Sequence, residues 1–223
     1  KSLVVTNVSK VIPARLHGRK RGTQGKVEFL LLTPLPAIVQ KEIGGDWHQA
    51  IVEGLLRPTK GLTPGSQIDL SQEMSLMVDE IYDFGRSQVR LEWKGDVASI
   101  LVQNGVLPLP PYIRRPAGPE DGNRYQTVYA RAQNLGSVAA PTAGLHFTPE
   151  QIQNLQARGH EFVELVLYVG YGTFNPIRVR DIRKHTMHAE LMHISEQSAH
   201  TLQEAKTQGR PLVAVGTTSV RAL

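Results

Sequence analysis

The 223 residues contain no cysteine. Disulfides, thiolate nucleophiles and thiolate metal sites are therefore excluded from this sequence. No apolar run approaches the roughly 18 residues that read as a membrane span. No secretory signal opens the chain, because Lys1 to Lys10 is too short and too polar for one. A cytoplasmic location and no contact with a membrane are the expectations. A Gly-x-Ser-x-Gly elbow and a Walker loop are both missing, as are internal repeats and low-complexity segments. Acidic residues are absent from the first 26 positions, which hold seven basic ones: Lys1, Lys10, Arg15, Arg19, Lys20, Arg21 and Lys26.

What is present is ordinary globular material, 40% hydrophobic and 20% charged, enough for one large or two small domains. The net charge is +5 with a pI near 9.6. A second basic run, Arg178, Arg180, Arg183 and Lys184, is interrupted only by Asp181. Two such clusters suit a polyanion such as RNA, although mild basicity also occurs on solvated surfaces. The chain opens without Met inside a strand-like run and stops where a helix is due to begin. It is expected to be an excerpt of a longer protein.

The first half reads as β. Runs at 26–32, 47–53, 66–70, 75–82 and 88–93 are rich in apolar and β-branched residues. Turn signals separate them, including Gly44-Gly45, Thr63-Pro64-Gly65 and Phe84-Gly85-Arg86. This spacing predicts a small barrel or sandwich. Asp96 is placed to cap a short helix that Asn104-Gly105 closes. The prolines of Leu107-Pro108-Leu109-Pro110-Pro111 then force an extended stretch.

The second half alternates strands and helices. Thr148-Pro149-Glu150-Gln151 is a capping box with proline at the first helical position. Gly159 stops that helix, and Phe162 to Val169 reads as a buried strand. Ser195 caps a further helix ending near Gly209, and Leu212 to Val215 reads as another buried strand. This is an α/β pattern.

Such sheets bind ligands at polar turns beyond their strand ends. The sequence offers Ala140 to His146, Gly170 to Asn175, and Gly216-Thr217-Thr218-Ser219. The last would aim amides and hydroxyls at a carboxylate or phosphate, or merely cap a helix. Gly170-x-Gly172 is not a dinucleotide loop, because Asn175 replaces the third glycine and Pro176 follows it. His185-Thr186-Met187-His188-Ala189-Glu190 gathers groups that move protons near neutral pH. With His146 or His193 it also offers metal ligands, but the spacing matches no zinc signature, and no metal is expected.

Seven motifs in order then become specific. They are Val11-Ile12-Pro13-Ala14-Arg15-Leu16, Pro108 to Ile113, Arg124-Tyr125-Gln126-Thr127-Val128-Tyr129, Ala139 to Phe147, Gly170-x-Gly172-Thr173-Phe174, His185-x-Met187-His188-x-Glu190 and Val215 to Arg221. Together they resemble the S-adenosylmethionine:tRNA ribosyltransferase-isomerase family of queuosine biosynthesis. They are dense after Leu107 and thin between Lys26 and Trp93.

The resemblance implies an α/β domain, 1–17 and 105–223, with a small all-β barrel domain, 18–104, inserted into it. It implies transfer and isomerisation of the ribosyl moiety of S-adenosylmethionine onto 7-aminomethyl-7-deazaguanine at the tRNA wobble position. Epoxyqueuosine forms, and adenine and methionine leave. S-adenosylmethionine is then a consumed substrate, no resident cofactor is expected, tRNA is the partner, and the protein is expected to be a monomer.

For the proton transfers the candidates are His146, His188 and Glu190. Thr217, Thr218, Ser219 and Arg221 are candidates for the methionine carboxylate or an RNA phosphate. Arg15, Arg114 and Arg115 are candidates for phosphates, and Tyr125 and Gln126 for stacking on and hydrogen bonding a base. Thr142, Gly144, Gly170, Gly172, Thr173 and His185 complete the substrate-binding set.

Two positions depart from the family pattern. Asn7-Val8-Ser9-Lys10 stands where Asn-Asp-Thr or Asn-Asn-Thr is usual, and Tyr168 stands where His precedes Val-Gly. These departures leave a noncatalytic RNA-binding relative as one alternative. A metal-dependent hydrolase built on the histidines is a weaker one.

Overall fold

The structure is a computed structural model and describes residues 1–170, 172, 181, 183 and 189–223. The chain opens with β1 (Leu3–Asn7) and β2 (Lys10–Val11). It continues through β3 (Arg15–Lys20), β4 (Lys26–Leu31), β5 (Lys41–Gly44), β6 (Trp47–Arg57), β7 (Gln67–Asp69), β8 (Met74–Ile81) and β9 (Arg86–Lys94) to helix α1 (Val97–Asn104). After α2 (Asp121–Arg124) and β10 (Leu135–Ser137) come α3 (Pro149–Ala157) and β11 (Glu161–Leu167). The described elements end with β12 (Met192–His193), α4 (Glu196–Thr207), β13 (Leu212–Ala214) and α5 (Gly216–Ala222). Two compact units result: Lys1–Val11 with Leu109–Leu223, and Ile12–Pro108.

The second unit is an antiparallel barrel. Its strands pair in the order β4-β3-β7-β8-β9-β6, and β6 pairs back onto β4, so six strands close on themselves. β5 adds to β6 outside the ring. The strands alternate as a closed sheet requires: Ser87, Val89, Leu91 and Trp93 of β9 are buried, whereas Gln88, Arg90 and Glu92 between them are only partly covered. Phe29, Leu56, Ile68, Met74, Leu76, Leu91 and Trp93 are all fully buried. Gly54 is required on β6, because a Cβ there would collide with the Phe29 ring.

Asp96 caps α1, its carboxylate accepting from Ser99 N at 2.8 Å. Gly105 ends that helix for an unexpected reason. Its backbone is extended (φ −90°), not left-handed, and a side chain would run into the Pro13 carbonyl.

The first unit is built on a four-stranded sheet, β12-β11-β1-β13. β11, β1 and β13 are parallel and β12 is antiparallel. All five residues of β1 are buried, as befits a central strand. Leu3, Val5, Val163, Leu165, Leu167 and Ala205 form the core, with Leu202 of α4 packed on it. The capping box of α3 is complete: Gln151 N donates to Thr148 Oγ1 at 3.2 Å, and Thr148 N donates to Gln151 Oε1 at 2.8 Å. Gly159 follows α3 at φ +83°, where glycine is favoured.

β13 corrects one expectation. Among the described residues it lies at the sheet's edge and pairs only with β1, and Leu212 and Val213 are 41% and 48% exposed. Among the described residues no helix is long and apolar enough to cross a membrane.

Candidate functional site

The three parallel strands of the first unit end at Asn7, Leu167 and Ala214; the candidate turns that begin at Gly170 and Gly216 follow the second and third of these ends, whereas Ala140 to His146 follows β10, which pairs with β2. The chain folds this way because each strand is a short apolar run that stops where small or polar residues begin. Asn7 ties the edge together. Its Nδ2 donates to Leu167 O at 2.8 Å, and its Oδ1 accepts from Leu167 N at 3.0 Å and Ser9 N at 3.1 Å. The buried amide thus stands in for a strand residue and extends the pairing past the end of β1. Ser137 Oγ continues the network, donating to Ser9 Oγ at 2.8 Å and accepting from Val169 N at 3.0 Å. Ser137 is not singled out by the sequence. Its only signal is a small polar residue just before the apolar Val138-Ala139-Ala140.

Glu190 joins two turns. Its Oε1 accepts from Gly170 N at 2.9 Å, and its Oε2 accepts from Arg221 Nη1 at 2.7 Å. The Glu190 side chain is 7% exposed and that of Arg221 is 34% exposed. Residues from three separate motifs therefore meet at one carboxylate. A third contact brings in the first turn. Gly216, at φ +82°, lies so close to Ala143 that a Cβ there would sit 3.0 Å from the Ala143 Cβ. Gly144 backs onto Tyr129, and any side chain at 144 would strike the Tyr129 hydroxyl. That hydroxyl has no hydrogen-bond partner among the described residues, and burial pushes its pKa up to about 12.

The remaining candidates divide. His146 and Thr142 are exposed on the short 3-10 turn Thr142–His146. His146 borders an open cleft of about 460 Å³ with Phe147, Gln151, Asn154, Leu155 and Arg158. Thr217 is exposed, while Thr218 Oγ1 is buried without a partner among the described residues. Ser219 is fully buried and donates to Val215 O at 2.9 Å, so its hydroxyl is used inside α5 and is not offered to a ligand. Gly172 is described; Thr173, His185 and His188 lie outside the described residues.

The expected base readers are braces instead. Gln126 accepts from Val11 N and donates to Val11 O, both at 2.9 Å, which uses both ends of its amide. Tyr125 is only 5% exposed, too buried to stack on a base. Burial pushes its pKa up to about 12, partly opposed by the Ala140 backbone.

Arg115 grips Asp121 at 2.6 and 2.8 Å, and that guanidinium holds the Asp121 carboxyl well below the usual carboxylate range. Its charge is therefore already answered within its own loop. Arg114 is exposed. Arg15 belongs to the barrel unit and lies 3.6 Å from Glu28. Among the described residues no three of His, Asp and Glu are gathered closely enough to hold a metal ion.

The two departures from the family pattern are neighbours. Val8 and Tyr168 are 2% and 6% exposed and pack in one cluster with Val166, against which Tyr129 leans. Burial raises the Tyr168 pKa, so the phenol stays protonated near neutral pH.

A family profile described as queuosine biosynthesis protein matches residues 1–223. The S-adenosylmethionine:tRNA ribosyltransferase-isomerase of Oleidesulfovibrio alaskensis is 57% identical over 225 residues, covering 100% of this chain and 58% of its own. The protein of the same name from Nitratidesulfovibrio vulgaris (strain DP4) is 52% identical over 229 residues, covering 100% of this chain and 62% of its own. The crystal structure of S-adenosylmethionine tRNA ribosyltransferase from Thermotoga maritima aligns at 25% identity with a TM-score of 0.32, over 99% of this chain and 54% of its own. This chain thus spans about three-fifths of the curated relatives it matches, 58% and 62% in these two cases.

Proposed function

We infer, from the premise that this chain belongs to the queuosine biosynthesis protein family, that it forms the larger part of an S-adenosylmethionine:tRNA ribosyltransferase-isomerase. In the proposed reaction the ribosyl moiety of S-adenosylmethionine is transferred and isomerised onto 7-aminomethyl-7-deazaguanine at the tRNA wobble position. Epoxyqueuosine forms, with adenine and methionine released. The observation that carries this reading is identity of 57% over the full length of this chain to a relative bearing that enzyme's name. Such relatives do not favour the noncatalytic or metallohydrolase alternatives.

In this proposal S-adenosylmethionine and tRNA are substrates, no resident cofactor takes part, and the protein works as a cytoplasmic monomer. The sulfonium acidifies the neighbouring ribose carbon, so a base is needed; adenine leaves more easily with a proton on it. His146 and His188 are proposed for these transfers. Glu190 was a candidate of the same kind, but each of its oxygens already accepts a donor, one of them cationic. Both carboxylate oxygens are thus occupied within the fold. Its proposed role is to fix Arg221 and the Gly170 amide, with Arg221 and Thr217 facing the methionine carboxylate or a phosphate.

The test is release of adenine and methionine by the complete protein given S-adenosylmethionine and tRNA carrying the deazaguanine precursor. Release is expected only when both substrates are present. No release under those conditions would refute the reading.

A further inference from the structure

We propose that the β3–β4 hairpin tip and the adjoining turn around Lys60 form a docking surface for the phosphodiester backbone of RNA. That the RNA is tRNA rests on the function proposed above. The surface belongs wholly to the barrel unit and uses none of the residues proposed for the reaction.

The surface gathers Arg19, Lys20, Arg21, Lys26 and Lys60. Arg19, Arg21, Lys26 and Lys60 are exposed, and Lys20 is half-buried. One carboxylate is paired with the group: Asp69, with Arg21. Glu92 acts on Arg21 at longer range. Among the described residues the other four cations form no ion pair.

Two of the four are nevertheless held in place. Arg19 Nη1 donates to Gln24 O at 3.2 Å, and Lys20 Nζ donates to Lys60 O at 2.6 Å. Backbone carbonyls orient these side chains and leave their full charge uncancelled. A ligand then meets cations whose rotamer freedom is already reduced, which lowers the entropic cost of binding.

The register adds a second argument. Arg19 and Lys26 are directly opposite each other across β3 and β4, on the outer face of the barrel. Like charges in directly opposed positions destabilise a sheet. The carboxylate opposite Arg19 on its other side, Asp69 of β7, is bonded to Arg21 and not to Arg19. The hairpin tip between them, Gly22-Thr23-Gln24-Gly25, carries no bulky side chain to keep a backbone away.

Lysine and arginine cations contact the phosphate backbone, which carries no sequence information directly. The surface is therefore expected to bind RNA without regard to sequence, and its affinity to fall steeply with salt. Log affinity changes against log salt by about 0.7 to 0.9 per phosphate neutralised.

The test compares the complete wild-type protein with the triple variant Arg19→Gln, Lys26→Gln, Lys60→Gln. Binding is titrated over a salt series with tRNA carrying the deazaguanine precursor and with tRNA lacking it. Loss of three contacts is expected to flatten the salt slope by about 2 to 3 and to weaken low-salt binding at least tenfold, equally for both RNAs. Adenine release at saturating tRNA should be unchanged. The pair Lys26→Gln, Lys60→Gln, in which the Arg19 contact to the turn is kept, guards against misfolding and should flatten the slope by about two-thirds as much.

An unchanged slope and affinity would overturn the proposal. So would a loss confined to one RNA, or one seen on anionic vesicles and not on tRNA. Salt-sensitive binding through these cations without adenine release would leave the surface standing and refute the reaction. Adenine release with RNA binding unaffected by the variants would do the reverse.

Discussion

At the scale of single residues, Glu190, Asn7 and the Val8–Tyr168 pair carry most of the information. If Glu190 positions Arg221, Glu190→Gln removes a charge-assisted contact and should lower kcat/KM about tenfold or more. The pH at which activity falls on the acid side should not move. Disappearance of that acid limb, with a loss of about 10² to 10⁴ in kcat, would instead mark Glu190 as the base. Asn7→Ala strips partners from the buried Leu167 and Ser9 backbone. A loss of about 2 kcal/mol or more is expected in urea unfolding. Val8 and Tyr168 belong to one buried cluster with Val166. A double-mutant cycle with Val8→Asn and Tyr168→His should therefore show a coupling of about 0.5 to 3 kcal/mol; additive effects would mean that the two departures are independent.

At the scale of elements, the sequence was most readable where local chemistry is self-sufficient. The capping box at Thr148 and Gln151 is visible because both partners lie within one turn. Thr148→Ala should cost about 1 kcal/mol, measured as a lower midpoint in urea with an unchanged slope. Five barrel strands are visible from their apolar alternation. β3 is not: its sequence, Arg-Leu-His-Gly-Arg-Lys, buries only Leu16. It is a strand because the ring between β4 and β7 must be closed. β13 misleads in the opposite way. Leu-Val-Ala reads as interior, yet among the described residues it lies at the sheet edge and Leu212 and Val213 are exposed. Periodicity reports what a segment can bury, and only its neighbours decide how much it does.

At the scale of the whole molecule, alkali acts on the α/β unit through two buried phenols. Tyr125 and Tyr129, both in the α/β unit, have pKa values pushed up to about 12 by burial. A phenol near 10 in the unfolded chain binds its proton more tightly when folded. Its contribution to stability is complete below pH ~10 and is lost as pH rises toward ~12. Alkaline unfolding across that window is expected, and Tyr129→Phe should reduce its steepness. The part of the tyrosinate absorbance that is lost in Tyr125→Phe and Tyr129→Phe should rise together with loss of helix; its appearance before helix is lost would contradict the expectation.

The α/β pattern, a β-rich first half, the helix caps, the basic opening stretch and the family resemblance, which implies the inserted barrel, are all legible in the order of the residues. Each of these is written in local spacing or in the identity of short strings. Tertiary structure alone decided which polar groups meet. Glu190 reaches Gly170, 20 positions away, and Arg221, 31 positions away. Asn7 reaches Leu167 across 160 positions. It also decided which candidates are used up inside the fold: Gln126 on Val11, Ser219 on Val215, and Arg115 on Asp121. A hydroxyl, amide or guanidinium has the same letter whether it faces a ligand or its own backbone. The difference lies in burial and partners, and those exist only once parallel strands from distant parts of the chain lie side by side.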